Sequence, residues 1–332
     1  MILVAGEALI DLLPVPGEQH RFDARPGGAP FNVAVGLARL GQRTSFLGRI
    51  SADSFGRRLR AHLNVAGVDL SMVVAAAEAT TLAVTDLDPS GAAVYSFYAN
   101  GTADWQWAES EVPQEVPASI GALYTGGLAL RFGPGAAVLE GLLRRARRQG
   151  SALIFLDPNV RCGFDFSVSA ERARIERQLR LAHIVKASED DIASLYPGQD
   201  WREIAASWQR MTSAMVVVTR GASGAYALAP GGAEITVPAV PADVVDTVGA
   251  GDAFAAALLD GLIGEIPAGT GPAAVGRIPV DVTRRVLERA CISAAFTCSR
   301  AGADCADART LQEAVERFRP AAQWPSAARP VE

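Results

Sequence analysis

The chain has 332 residues, of which 49% are hydrophobic, and its formal net charge is −5. This is enough apolar sequence for one large α/β domain, and the acidic balance argues against a nucleic-acid-binding surface, which needs a basic patch. No apolar run reaches the roughly 18 residues of a membrane span. The four cysteines show neither a disulfide framework nor the paired spacing of a zinc site, so we expect a cytoplasmic protein.

Short apolar runs alternate with amphipathic helical stretches, which favours a mostly parallel sheet with helices on both faces. The predicted strands are Ile2–Val4, Thr44–Leu47, Leu123–Gly126, Ala152–Asp157, Ile184–Ala187 and Met215–Thr219. The predicted helices are Asn32–Leu40, Phe55–Ala66, one that begins near Ala136, and Phe254–Leu259. Gly264–Ile278 is rich in glycine, proline and alanine and is predicted to be an exposed loop. Residues 321–332 are expected to form an irregular tail.

Two segments interrupt this alternation, Asp11–Arg25 and Thr80–Trp105. The second contains two period-2 runs around Asp88-Pro89-Ser90-Gly91, the pattern of a β-hairpin. Together the two segments are predicted to form a small antiparallel sheet.

The most informative stretch is Asp-Thr-Val-Gly-Ala-Gly-Asp-Ala-Phe at 246–254. A glycine-rich turn that leads into a helix leaves backbone N–H groups unpaired, and the helix dipole adds positive charge there, so the turn suits a phosphate. Asp252 lies at the rim of this anion pocket. A carboxylate in that position can remove the proton from an attacking hydroxyl. The alternative is that Asp252 only caps the helix.

A second glycine motif lies near the N-terminus, at Gly27, Gly28 and Asn32. Two glycines allow a backbone to approach a ligand closely, and an asparagine offers both a donor and an acceptor to hydroxyl groups. The alternative is a turn in which Asn32 caps a helix. Asp11 follows the first strand, where ligands of open α/β sheets bind, and its carboxylate can accept two adjacent sugar hydroxyls.

The two motifs resemble the signatures of the PfkB family of carbohydrate kinases, also called ribokinase-like, in the same order and over roughly residues 1 to 315. The resemblance implies a ribokinase-like three-layer α/β/α sandwich with a mostly parallel central sheet, in a kinase domain over residues 1–320. The small β-sheet, from about 11–25 and 80–105, would be its lid. The resemblance makes Asp252 the catalytic base, with Gly249, Ala250 and Gly251 lining the anion hole.

The resemblance also assigns residues that bind substrate and nucleotide. The sugar would contact Asp11, Gly27, Gly28, Asn32, Phe97 and Arg161, and the nucleotide would contact Lys186, Ser188, Thr219, Gly221 and Gly224. Arg161 belongs to a D-P-N-x-R segment typical of fructokinase-like members, in which Asp157 and Asn159 could order magnesium through water. Lys186 is the only lysine in the chain, so its ammonium group is a candidate for a specific role.

Two metal ions are implied by the family. Asp191 stands where relatives have a longer glutamate that organises Mg²⁺, so it would reach the metal only through water. Many relatives also bind a potassium-like ion, mainly by backbone oxygens, here at Asp246, Val248, Arg300 and Gly302. Ala306 replaces a serine hydroxyl that some relatives offer to this ion.

The function implied is ATP-dependent phosphorylation of the primary hydroxyl of a monosaccharide, with fructose to fructose 6-phosphate as the first choice. The alternatives are 2-keto-3-deoxygluconate, with Arg161 on its carboxylate, or another sugar or nucleoside acceptor. A non-catalytic regulator on the same fold is the alternative of a different class. The partners implied are the small-molecule sugar and ATP, without nucleic acid or membrane, and a homodimer through the small sheet.

Overall fold

The computed structural model describes residues 1–15, 17–18, 20–87, 93–161, 167–267 and 270–318. The strands are β1 Ile2–Ala5, β2 Leu9–Pro14, β3 Phe22–Gly27, β4 Thr44–Leu47, β5 Arg49–Ser51, β6 Val74–Ala76, β7 Leu82–Leu87, β8 Ala93–Tyr98, β9 Ala122–Gly126, β10 Leu153–Asp157, β11 Ile184–Ser188, β12 Met215–Thr219, β13 Ala225–Leu228 and β14 Glu234–Val237. The α-helices are α1 Ala29–Arg39, α2 Ser54–Val65, α3 Gly135–Gln149, α4 Val168–Leu179, α5 Glu189–Leu195, α6 Trp201–Thr212, α7 Ala250–Gly264, α8 Val280–Cys298 and α9 Ala308–Phe318.

The central sheet has eight strands in the order β14-β13-β12-β11-β10-β9-β1-β4. The strands from β4 to β12 in this order are parallel, whereas β13 and β14 are antiparallel. Alternate side chains of one strand enter opposite cores: Leu3 joins one apolar cluster and Val4 the other. This explains why these strands are continuous apolar runs. The α/β/α layers confirm the predicted fold class.

Each cluster is the core beneath one layer of helices. The first includes apolar residues of α1, α7, α8 and α9, and the second includes those of α3 to α6. Cys291 and Cys305 are buried in the first cluster, whereas Cys298 is only half-buried. Cys162 lies outside the described residues. None of the helices that the structure describes is long and apolar enough to cross a membrane.

A separate four-stranded sheet, here called the small sheet, has the order β3-β2-β7-β8. The predicted hairpin is present as the antiparallel pair β7–β8, although its turn at 88–91 lies outside the described residues. The small sheet is mixed, not antiparallel, because β2 and β7 pair in parallel. The two strands run in the same direction from the point where the Ile10 amide donates a hydrogen bond to the Thr81 carbonyl.

Two other expectations are corrected. Helix α1 begins at Ala29, three residues before the predicted start at Asn32, because Pro30 is tolerated in a first helical turn. The segment Gly264–Ile278 is not simply an exposed loop, since Pro272–Arg277 forms a 3₁₀-helix with Pro272, Ala274 and Val275 buried. The predicted tail at 321–332 lies outside the described residues.

Candidate active site

A cleft of about 1160 Å³ lies between the small sheet and the carboxyl ends of the central strands. Open α/β sheets place their ligand sites at this edge. The cleft brings together residues from distant parts of the sequence, including Asp11, Asn32, Phe97, Arg161, Lys186, Thr219 and Asp252.

The floor of the cleft contains the glycine-rich turn before α7. The helix begins at Ala250, and its N-cap residue is Gly249, which has a left-handed φ of +76° and offers no side-chain cap. A Cβ on Gly249 would lie 2.4 Å from the Cβ of Ala303, so only glycine fits. The helix therefore directs its N-terminal dipole into the cleft, as an anion site requires.

Asp252 lies in the first turn of α7 but does not cap it. Its Oδ2 accepts a hydrogen bond of 2.8 Å from Nδ2 of Asn32, and only 8% of the residue is exposed. Burial raises the pKa of Asp252, while the Asn32 hydrogen bond and the charges of Lys186 and Arg161 oppose the rise. Asn32 does not cap its helix either, because Gly28 holds the N-cap position of α1.

Asp11 faces the same cleft from β2. Burial raises its pKa to about 7, the charge of Asp252 adds to this, and Arg161 opposes it. A Cβ on Gly27 would lie 2.0 Å from Oδ2 of Asp11, and a Cβ on Gly28 would lie 2.9 Å from the Glu7 carbonyl oxygen. The two glycines thus make room for this chain's own carboxylate and backbone, a reason that the motif alone did not reveal.

Phe97 and Arg161 line the cleft near Asp11. The Arg161 carbonyl accepts a 2.8 Å hydrogen bond from Nη1 of Arg131, and the Arg161 guanidinium lies within electrostatic range of both Asp11 and Asp252. The structure therefore places Arg161 beside the two acidic residues predicted to handle the acceptor.

Lys186, in the middle of β11, and Asp157, the last residue of β10, form a buried ion pair with 2.8 Å between Nζ and Oδ2. A Cβ on Gly251 would lie 3.3 Å from the same Nζ, so the ammonium group borders the glycine-rich turn at residues 249–251, here called the anion turn. Burial raises the pKa of Asp157 to about 6, although Lys186 limits the rise. Burial alone would lower the pKa of Lys186, but the carboxylates of Asp157 and Asp191 offset this and raise it.

Ser188 and Asp191 form a capping box at the start of α5. The Ser188 Oγ accepts from the Asp191 amide at 2.9 Å, and the Asp191 Oδ2 accepts from the Ser188 amide at 2.7 Å. The other oxygen of Asp191 accepts from the Val160 amide at 2.7 Å. Asp191 therefore joins α5 to the segment after β10, a structural role that its comparison with the family glutamate did not reveal.

The loop after β12 forms another wall of the cleft. Thr219, Gly221 and Gly224 all line it, as does Arg220, whose Nε donates to Oε2 of Glu189 at 3.1 Å. Gly224 has φ +87°, and a Cβ there would lie 2.1 Å from the Val237 carbonyl oxygen. This glycine is thus needed for packing as well as for any nucleotide contact.

The residues predicted to hold a monovalent cation lie next to the anion turn. Asp246 braces the region, because Oδ1 accepts from the Val248 amide at 3.0 Å and Oδ2 accepts from the Gly302 amide at 2.7 Å. The Arg300 side chain instead pairs with Asp304. Within the described residues no group of three or more His, Cys, Asp or Glu side chains could hold a metal.

Residues that sequence reasoning missed also line the cleft, above all Glu7, Thr85 and Arg220. Glu7 is buried, and its two oxygens accept from the amides of Leu128 and Ala129 at 3.3 and 3.0 Å. Burial raises its pKa to about 8, the Asp104 charge adds to this, and its amide partners oppose it. An acidic residue two positions after the buried strand β1 was the available signal for Glu7.

The chain is similar to known proteins over most of its length. The "Fructokinase" of Rhizobium leguminosarum bv. trifolii is 38% identical over 265 residues, which cover 79% of each protein. A fructokinase structure from Xylella fastidiosa with bound ATP superimposes with a TM-score of 0.86 at 26% identity, covering 96% of this chain and 98% of the other. A double-mutant fructokinase from Vibrio cholerae O395, with bound fructose, ADP and potassium ion, gives 0.78 at 27% identity, covering 96% and 97%.

The family model described as "pfkB family carbohydrate kinase" matches residues 1–308 of this chain. This match includes the small sheet, the anion turn and both glycine motifs. The chain therefore belongs to the pfkB family of carbohydrate kinases.

Proposed function

We propose that this protein is a sugar kinase that transfers the γ-phosphoryl group of ATP to the primary hydroxyl of fructose, giving fructose 6-phosphate. One observation carries the proposal. Asp252 accepts a hydrogen bond from Asn32 and lines the same cleft as the glycine-rich turn of α7 and Asp11. This supports an in-line transfer in which the proposed base, phosphate site and sugar site share one cleft.

The chemistry follows from this arrangement. Oδ of Asp252 accepts the proton of the sugar hydroxyl as the hydroxyl oxygen forms a bond to the γ-phosphorus. The bond between that phosphorus and the bridging oxygen breaks, and ADP leaves with the electron pair. The amides of Gly249, Ala250 and Gly251, at the positive end of α7, stabilise the charge on the transferred group. Lys186 borders this turn and supplies a fixed positive charge.

Among the described residues no three acidic side chains could hold a metal directly, and both oxygens of Asp191 already accept backbone amides. Glu189, Asp190 and Asp191 line the cleft, where they would contact a magnesium ion only through its waters. Mg²⁺ retains several waters in such sites, so these carboxylates would hold it through water, and when bound it supplies charge neutralisation for the phosphates. Backbone oxygens of the segment braced by Asp246 are the proposed holders of a potassium ion.

Fructose is favoured over the other acceptors by the relatives. The curated relative from Rhizobium leguminosarum bv. trifolii is a fructokinase, and the Vibrio cholerae structure holds fructose. A keto-acid would need a cationic clamp, whereas Arg161 lies within range of two carboxylates. A non-catalytic regulator is disfavoured, because a carboxylate that faces phosphates weakens their binding and is retained only for a reaction.

Replacement of Asp252 by Asn tests the proposal. We expect kcat to fall by about 10²- to 10⁴-fold in a coupled ADP-release assay with Mg-ATP and fructose. Asp260→Asn is the matched control, since it lies in the same helix, pairs with Arg289, and does not line the cleft. Near-normal turnover of Asp252→Asn, or a similar loss in Asp260→Asn, would refute the assigned base.

A panel of acceptors, each with and without potassium, fixes the substrate. Turnover confined to fructose supports the proposal, and turnover of 2-keto-3-deoxygluconate would reassign Arg161 to its carboxylate. Bound sugar without turnover of any acceptor would favour the regulator. We further propose that two copies pair through the small sheet, on which Phe22 and Tyr98 are exposed. The use of ATP favours the cytoplasm as the compartment.

A further inference from the structure

The hydroxyl of Thr85, in β7 of the small sheet, has no hydrogen-bond partner although it is buried. Thr85 is 7% exposed, and its Oγ1 is one of the buried side-chain oxygen and nitrogen atoms that have no hydrogen-bond partner among the described residues. A buried hydroxyl without a partner destabilises the fold relative to one that is hydrogen-bonded. Buried polar groups are usually paired, so this exception requires an explanation.

The strand register shows which way Thr85 points. Leu12 pairs with Val84 in the parallel β2–β7 ladder, so Thr85 lies opposite Leu13, and Asp11 lies opposite Ala83. Residues two apart on a strand share a face, so Thr85 is on the face that carries Asp11. Both Thr85 and Leu13 line the cleft.

The next strand gives the same result. Ala83 pairs with Phe97 in the β7–β8 ladder, which places Phe97 on the face of Thr85. Asp11, Thr85 and Phe97 therefore form one surface of the small sheet over the acceptor pocket, and Asp11 is a diagonal neighbour of Thr85. The unpaired hydroxyl thus belongs to the wall of the cleft nearest the sugar, not to the nucleotide end.

We propose that Thr85 is a specificity-determining residue whose hydroxyl hydrogen-bonds a hydroxyl group of the bound sugar. The inference rests on the proposed sugar kinase function and extends it. A threonine hydroxyl can both donate and accept, so it suits the hydroxyl of a polyol. Valine would fill the same volume without an unsatisfied polar atom, so threonine at this position is explained by the ligand. A site that pairs with a substrate hydroxyl discriminates strongly against analogues that lack it.

Two substitutions separate this role from a structural one. Thr85→Val removes the hydroxyl and keeps the shape, and Thr85→Ser keeps the hydroxyl. We expect Thr85→Val to raise KM for fructose by about 5- to 30-fold, with KM for ATP unchanged and a melting temperature equal to or above that of the wild type. Thr85→Ser should stay within about threefold of the wild type. Ser96→Ala is the control, because Ser96 pairs with Val84 on the opposite face.

The inference is overturned if Thr85→Val leaves KM for fructose unchanged, or if it lowers the melting temperature and raises both KM values together. Monodeoxy analogues of fructose then identify the contacted group. For one analogue the wild type and Thr85→Val should have nearly equal kcat/KM, since both lack the contact. If the ratio of wild-type to Thr85→Val kcat/KM is the same for every analogue as for fructose, a direct hydrogen bond is contradicted.

This experiment distinguishes failure of the inference from failure of the proposed function. Wild-type protein that does not phosphorylate fructose refutes the proposed substrate, whatever the variants do. In that case the same variants are compared for the sugar that is turned over, or by calorimetric binding of fructose if none is. An unchanged affinity of Thr85→Val in that comparison overturns the role of Thr85 on its own.

Discussion

The buried pair of Lys186 and Asp157 offers the sharpest test of how this site is built. Nζ and Oδ2 are 2.8 Å apart, and the two residues are only 4% and 0% exposed. Removing one member of a buried pair leaves an uncompensated charge and costs about 3–5 kcal/mol, whereas neutralising both is often harmless. Lys186→Met should therefore lower the free energy of unfolding by about 3–5 kcal/mol at neutral pH.

A double mutant separates the structural and chemical roles of the pair. In the wild-type structure the Asn159 amide donates to Oδ1 of Asp157 at 3.1 Å. Asp157→Asn keeps an acceptor oxygen for this hydrogen bond. We expect Lys186→Met with Asp157→Asn to recover most of the lost stability in urea denaturation. Turnover should stay low, because the ammonium group next to Gly251 is still absent.

The pH dependence of the single mutant gives a further check. Asp157 already has a pKa raised by burial to about 6, and loss of the Lys186 charge raises it further. The unpaired carboxyl is then protonated in mild acid, so the penalty of Lys186→Met should shrink between pH 7 and pH 5. Arg285→Met, which breaks an exposed pair with Asp281, should leave stability nearly unchanged at both pH values.

If the double mutant is as unstable as Lys186→Met, the two groups act independently, and the predicted coupling between their charges is refuted. The proposed role in phosphoryl transfer fails separately if the double mutant regains wild-type turnover. Because Lys186 is the only lysine, amine-specific labelling read out at the peptide that contains it, before and after denaturation, also reports on its burial.

Two further predictions concern the acceptor pocket. Gly27→Ala should raise KM for the sugar at least tenfold and cost about 1–3 kcal/mol of stability, because the new Cβ would lie 2.0 Å from the Asp11 carboxylate and displace it. Gly121→Ala is the control, because nothing lies within 4 Å of a Cβ at that position. If the two variants have equal effects on KM and on the free energy of unfolding, the predicted clash is refuted. Glu7 has a native pKa raised from 4.5 to about 8, so the native state keeps a proton that the unfolded state releases, and stability should fall as pH rises through that window. Glu7→Gln should remove up to about 1.4 kcal/mol of this loss per pH unit. If the free energy of unfolding has the same dependence on pH in the wild type and in Glu7→Gln between pH 5 and pH 8, the raised pKa of Glu7 is contradicted.

The sequence determined six of the eight central strands, because their signals are local, but it did not identify β13 and β14. Met215–Thr219 is a strand with the predicted bounds, and its alternate residues enter the two cores. The turn around Gly249 was equally clear, since its glycines can be read as the start of a helix at an anion site. In both cases short-range sterics and hydrophobic periodicity fix the conformation whatever lies nearby.

The tertiary structure decided which groups meet. The amide of Asn32 faces Asp252 although the two are 220 residues apart in the chain. Asp191 proved to be a brace for the Val160 amide. The parallel pairing of β2 with β7 placed Thr85 on the same wall of the cleft as Asp11. Such contacts depend on how strands pair over long range, and a side-chain period of two cannot specify the partner or direction of a strand. The sequence by itself therefore determined many of the elements and the turn that begins α7, while the set of side chains that meet in the cleft was decided by how those elements pack.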